Sequence, residues 1–180
     1  MVYLFLANGF EEVEALCPLD YLRRAGVEVK TVGVGGKTIC GSHQIPVVCD
    51  ITEDELNGNE AFDMIILPGG MPGSTNLDKS EKVDLFISRA VKEDKFICAI
   101  CAAPFILGKR GILKGKKATC FPGFENDLVG AEFKETTTIR DGKIITSCAM
   151  GKSHDFALEI VEALCGKEMS QKLKNSVYYV

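Results

Sequence analysis

Short runs rich in β-branched and aromatic residues alternate with stretches of helical periodicity along the whole chain, and that alternation admits few folds. Residues 2–7, 28–34, 62–67 and 96–100 read as strands. Residues 11–25, 81–94, 102–109 and 153–164 read as helices, with a lesser helix over 168–174. Val83, Phe86, Ile87, Ala90 and Val91 fall on one face of the second of these helices, and Phe156, Ile160, Val161 and Leu164 on one face of the fourth. Strands joined through helices pair in parallel, and a parallel sheet needs cover on both faces. The pattern therefore predicts an α/β/α sandwich around a mostly parallel sheet, with residues 1–180 forming one domain. Three shorter features decorate it. Two short strands are expected at 38–40 and 46–49, a short strand at 117–120 with a helical turn at 125–129, and a hairpin of 135–140 with 143–148 about Asp141-Gly142.

The composition narrows the partners. Of 180 residues, 46% are apolar and 26% charged, and the net charge of −4 gives no electrostatic reason to seek nucleic acid or an anionic membrane. The longest uncharged apolar stretch, broken by Pro104, falls far short of the roughly 20 residues of a membrane span. The apolar start lacks a basic flank and runs into Glu11, Glu12 and Glu14, unlike a secretory signal. Eight cysteines are too sparse for a secreted disulfide scaffold, and Cys49, Cys98, Cys148 and Cys165 sit in apolar runs as small hydrophobes. A reducing, cytoplasmic setting is expected.

Ligands of open parallel sheets bind beyond the carboxyl ends of the strands. Ala99-Ile-Cys-Ala-Ala103 is the most informative such end, because small neighbours suit a strained strand-to-helix turn. A thiol at Cys101 would meet free N–H groups and the helix dipole, which lower a thiol pKa; the plainer reading is a buried core cysteine. Cys98 and Cys101 form a CxxC, but residues three apart along a strand point to opposite faces, and no second ligand pair supports a zinc site. Gly69-Gly70 ends a buried strand and either offers a bare backbone N–H or makes a tight turn. Gly33-Val-Gly-Gly-Lys-Thr38 lacks the first glycine and the following helix of a phosphate loop. Only two histidines are present: His43 is expected to be exposed, and His154 either approaches the thiol or is a solvated first-turn residue. Glu11, Glu12 and Glu14 are candidate proton carriers, though favourable charge at a helix N-terminus accounts for all three.

Gly9-Phe-Glu-Glu-Val-Glu-Ala15, Arg23-Arg-Ala-Gly26, Leu67-Pro-Gly-Gly70, Ala99-Ile-Cys-Ala-Ala-Pro104 and Phe156-Ala-Leu-Glu-Ile-Val-Glu-Ala-Leu164, in this order, resemble the DJ-1/PfpI family over nearly the whole chain. Within it the chain is most similar to the DJ-1/YajL/ThiJ branch of small homodimers. The resemblance implies a flavodoxin-like fold, Cys101 as the nucleophile-elbow cysteine, Glu14 as the carboxyl facing it, and the N–H groups of Gly70 and Ala102 as an oxyanion pocket, with Gly69 and Phe121 beside them. Glu11 and Glu12 are then left as helix-end charge. It implies a homodimer formed through the first helix near Val13. Two departures stand out. Ala102 occupies the place where the peptidase branch carries His, so protease activity is not expected. Phe121, before Pro122, stands where many glyoxalase and chaperone relatives carry His.

Two functions follow from the resemblance. One is a cofactor-independent glyoxalase or deglycase acting on small reactive aldehydes, such as methylglyoxal to lactate, through Cys101 with Glu14 as acid and base. The other is a non-enzymatic redox sensor or chaperone in which oxidants convert Cys101 to a sulfinic acid stabilised by Glu14. Neither reading calls for a metal or other cofactor.

Overall fold

A computed structural model describes residues 1–179. The chain opens with strand β1 (Val2–Ala7), helix α1 (Glu12–Arg24) and strand β2 (Val29–Val34), followed by the short strands β3 (Thr38–Cys40), β4 (Pro46–Val48) and β5 (Ile51–Thr52). Strand β6 (Met64–Leu67), helices α2 (Gly73–Lys79) and α3 (Glu81–Lys92), strand β7 (Phe96–Ile100) and helix α4 (Pro104–Lys109) form the middle. Short strands β8 (Lys117–Ala118) and β9 (Glu132–Phe133) precede the hairpin β10 (Thr138–Asp141) and β11 (Ile144–Ser147), and helices α5 (Ser153–Cys165) and α6 (Lys167–Ser176) close the chain.

The main sheet runs β10-β11-β7-β6-β1-β2-β5. Every neighbouring pair is parallel except β10–β11. Taking the five inner strands in chain order, this is the flavodoxin-like arrangement 2-1-3-4-5, whose direction of winding reverses between β1 and β6. Alternation along each strand divides the core in two. Tyr3, Phe5, Ile65, Leu67, Ile97 and Ala99 pack with Val83, Phe86, Ile87 and Ile106 of α3 and α4. Val2, Leu4, Leu6, Ile66, Cys98 and Ile100 pack with Ala15, Leu19 and Leu22 of α1 and Phe156, Ile160 and Val161 of α5. Near-continuous apolar strands are what two covered faces require.

Several boundaries differ from the sequence expectation. Val91 is 54% exposed, because Ile87 and Ala90 take the inward positions at that end of α3 and Val91 lines a groove with Lys95 and Lys143. The hairpin pairs Asp141 with Ile144, so Gly142 and Lys143 form the turn. Gly142 has φ 61°, as the first residue of a two-residue turn demands. Cys165 is exposed at the end of α5 and Cys148 half-buried, while Cys49 and Cys98 do serve as small core residues. All eight cysteines are free. No described helix is long and apolar enough to cross a membrane.

Candidate active site

The winding reversal leaves a crevice at the carboxyl ends of β1 and β6, with the end of β7 beside it. Three segments meet there: the first turn of α1, the Pro68-Gly69-Gly70 turn after β6, and the Cys101 turn after β7. Cys101 has φ 62°, a left-handed conformation that a residue with a side chain adopts only when its surroundings enforce it. They do so here through its own backbone. The Cys101 N–H donates to Ser147 O at 2.9 Å, and the Cys101 carbonyl accepts from Phe121 N–H at 2.8 Å. Because residues 101–103 are spent on this turn, α4 begins at Pro104 and not at residue 102. Proline at that first position leaves no N–H wasted.

Glu14 is fully buried. Its Oε2 accepts the Gly69 N–H at 2.9 Å, while Oε1 has no hydrogen-bond partner. Its carboxyl and the Cys101 thiol are close enough to shift each other's proton affinity, although Oε1 forms no well-aligned bond. Burial raises the Glu14 pKa from 4.5 to about 7, assisted by the charge of Glu11, against the nearby Cys101 thiol and the bond from the Gly69 N–H. Cys101 is pushed up to about 12, first by burial, then by the charge and closeness of the Glu14 carboxyl. The N–H groups of Ala102 and Gly70 act on the sulfur in the opposite sense. This corrects the expectation that the helix end lowers the thiol pKa: α4 spans only six residues, and burial beside an ionised carboxylate outweighs it.

The glycines are dictated by space. A Cβ on Gly69 would lie 2.4 Å from Glu14 Oε2 and 2.6 Å from Cys101 Cβ. Gly70 has φ 87°, and a Cβ there would lie 2.4 Å from the backbone nitrogen of Glu11. Phe121, 43% exposed, lines a groove of about 680 Å³ with Cys120, Phe133, Cys148 and Ala149. The structure thus brings Cys101, Glu14, Gly69, Gly70, Ala102 and Phe121 into one neighbourhood.

The remaining candidates go elsewhere. Glu11 is the N-cap of α1, its side chain accepting the Glu14 N–H at 2.7 Å. Glu12 is not mere helix-end charge. Only 4% exposed, it accepts the His43 N–H at 2.7 Å, meets His43 Nδ1 at 2.8 Å and accepts the Ser42 Oγ hydroxyl at 3.3 Å, clasping the turn between β3 and β4. Glu11, Glu12 and His43 are also the group whose ligand atoms lie within 4.8 Å of one another among the described residues, but these carboxylates are already engaged in the cap and the clasp. His154 does not approach Cys101. Its Nδ1 lies 2.8 Å from Tyr21 Oη and 3.6 Å from Cys17 Sγ, and its ring stacks on Tyr179. No spacing in the sequence signals these long-range pairings.

The DJ-1/PfpI family profile matches residues 1–163. The chain belongs to the DJ-1/PfpI family. It is 35% identical over 173 residues to Protein dj-1beta of Drosophila melanogaster, covering 94% of this chain and 92% of that one. It is also 35% identical over 168 residues to Deglycase PfpI of Pyrococcus furiosus, covering 91% and 99%. The solved structure of oxidized Toxoplasma gondii DJ-1 superposes with a TM-score of 0.95 at 31% identity, covering 99% of this chain and 98% of that one. The fold of this chain is therefore matched along nearly its whole length.

Proposed function

We propose that the chain converts small reactive carbonyl compounds, glyoxalase or deglycase fashion, through Cys101 with Glu14 as acid and base. The observation that carries the reading is a strained, half-buried cysteine beside a buried carboxyl whose pKa lies near neutrality. The DJ-1/PfpI relative from Pyrococcus furiosus, which bears the name deglycase, supports it.

Above about pH 7 the pair rests as carboxylate and thiol. Glu14 takes the thiol proton as sulfur attacks the aldehyde carbon and passes it to the developing oxyanion, held by the N–H groups of Gly70 and Ala102, which restores the carboxylate. For methylglyoxal the product is a hemithioacetal. Glu14 then moves the proton from the former aldehyde carbon to the neighbouring carbon through an enediol, leaving a thioester. Water cleaves the thioester to lactate and restores the thiol, so no glutathione and no external oxidant enter the balance. Phe121 makes the neighbouring wall apolar and leaves the proton traffic to Glu14. Rapid quenching with methylglyoxal, followed by peptide mass spectrometry, tests the first step: the adduct is expected on Cys101 and absent from Cys101→Ser.

A second reading draws on the unpartnered Oε1 of Glu14. Two equivalents of hydrogen peroxide would oxidise Cys101 to a sulfinic acid, each being reduced to water, and protonated Glu14 would donate to a sulfinate oxygen. The Toxoplasma gondii relative was itself solved in an oxidized form. We also assign homodimerisation to the face of α1 around Val13, an apolar residue 43% exposed, with the half-buried Leu16 and Cys17 one turn on. Light scattering tests it, and a monomeric mass would refute it.

A further inference from the structure

The two backbone bonds that hold Cys101 also gather two more cysteines. Its N–H partner is Ser147, the residue before Cys148, and its carbonyl partner is Phe121, the residue after Cys120. A third bond, from Thr119 N–H to Thr146 Oγ1 at 3.0 Å, ties the segment leading into Cys120 to the strand leading into Cys148. Cys148 is anchored beyond that strand by donating its N–H to Thr137 O at 3.0 Å. Cys120 and Cys148 both line the groove of about 680 Å³, beside Phe121, Phe133 and Ala149. Cys120 packs with the α3/α4 side of the core, whereas Cys101 packs with the α1/α5 side. Cys120 and Cys101 thus lie against opposite faces of the sheet.

We propose that Cys120 and Cys148 are a second redox site, closing to a reversible disulfide across the floor of this groove. The pair is asymmetric. Cys120 is 3% exposed, and burial pushes its thiol up to about 12, with the charge of Cys148 among the further causes. Cys148 is half-buried; burial raises its thiol, its own backbone N–H and Lys152 act against that rise, and the charges of Asp155 and Glu14 add to it. Cys148 is therefore the attacking thiol and Cys120 the resolving one. The oxidant is a low-molecular-weight disulfide such as oxidised glutathione. The Cys148 thiolate attacks one sulfur of it, giving a mixed disulfide and one thiolate leaving group. The Cys120 thiolate then attacks the Cys148 sulfur and expels the second. Two thiols lose two electrons and two protons, and the oxidant leaves as two thiols. Closure reshapes the wall that Phe121 presents next to Cys101.

The experiment is non-reducing peptide mapping after oxidised glutathione, on the wild-type chain and on Cys101→Ser. A peptide pair linked through Cys120 and Cys148 is expected in both and is released by dithiothreitol. In Cys120→Ser the mixed disulfide is expected to persist on Cys148, and in Cys148→Ser Cys120 is expected to stay reduced. Both residues unlinked in the wild-type chain, or Cys148 linked instead to Cys101, would overturn the proposal. Because the mapping reads linkage and not turnover, a catalytically silent Cys101 would leave this result intact.

Discussion

The backbone N–H of Gly69 donates to Oε2 of Glu14 at 2.9 Å, tying the turn after β6 to the first turn of α1 beside Cys101. The bond fixes one carboxylate oxygen and leaves the other buried without a partner, so the group is held in place but poorly compensated for its charge. The properties of the site follow from that imbalance.

Replacing Glu14 by Gln separates reactivity from catalysis. The ionised carboxylate is one of the causes that hold the Cys101 thiol near 12, whereas the Ala102 and Gly70 N–H groups pull it down. An uncharged amide removes the repulsion and keeps the pull, so the thiol pKa falls. The thiolate fraction at pH 7.5 rises about tenfold for each unit of that fall, and alkylation by iodoacetamide is expected to rise about threefold per unit because a less basic thiolate is a weaker nucleophile. Proton transfer is lost, and turnover drops by about 100-fold or more. Unchanged or slower alkylation would contradict this account of the pair.

The same carboxyl makes stability depend on pH. Folded Glu14 holds its proton more tightly than the unfolded residue does, with a pKa of about 7 against 4.5. The stability this confers is complete below about pH 4.5 and is lost as pH rises through about 7, amounting to about 3 kcal/mol. Urea denaturation is expected to show wild type losing ground to Glu14→Gln between pH 5 and pH 7.5. A constant difference across that range would count against it.

Gly69→Ala tests the spacing. Its Cβ would press on Glu14 Oε2 at 2.4 Å and on Cys101 Cβ at 2.6 Å, both in buried or half-buried surroundings. We expect a loss of about 1–3 kcal/mol in chemical denaturation and displacement of the carboxyl from the thiol. Wild-type stability and wild-type thiol reactivity together would show that the turn yields.

Glu12→Ala removes the clasp on the β3–β4 turn and leaves the His43 N–H without its acceptor. The cost is about 1 kcal/mol, and limited proteolysis is expected to cut faster within residues 41–45. Iodoacetamide labelling of Cys101 is expected to stay at the wild-type rate, because the clasp faces the hairpin.

Much of the fold is legible in the sequence because its signals are local. Two covered faces make β1 and β7 unbroken apolar runs, and Gly142 marks its turn by the conformation it alone adopts cheaply. The candidate site was legible only as far as residue type and resemblance carry. Cys101 stands among alanines because the elbow is crowded, and Glu14 is one of three similar acids at a helix start. What separates Glu14 from Glu12 is which long-range partner each meets, Gly69 or His43, separated by 55 and 31 residues. The thiol pKa escaped for a related reason. A helix end is a local feature, whereas burial beside a carboxylate brought from α1 is a property of the assembled sheet. His154 likewise meets Tyr21 and Cys17 only because α1 and α5 pack on the same face.

Lactate formation from methylglyoxal without glutathione, compared between wild type, Cys101→Ser and Glu14→Gln, bears most directly on the proposed chemistry. Turnover by wild type, abolished by Cys101→Ser and reduced about 100-fold or more by Glu14→Gln, is the predicted result. Folded wild-type protein that forms no lactate, or a Cys101→Ser variant that still does, would contradict it.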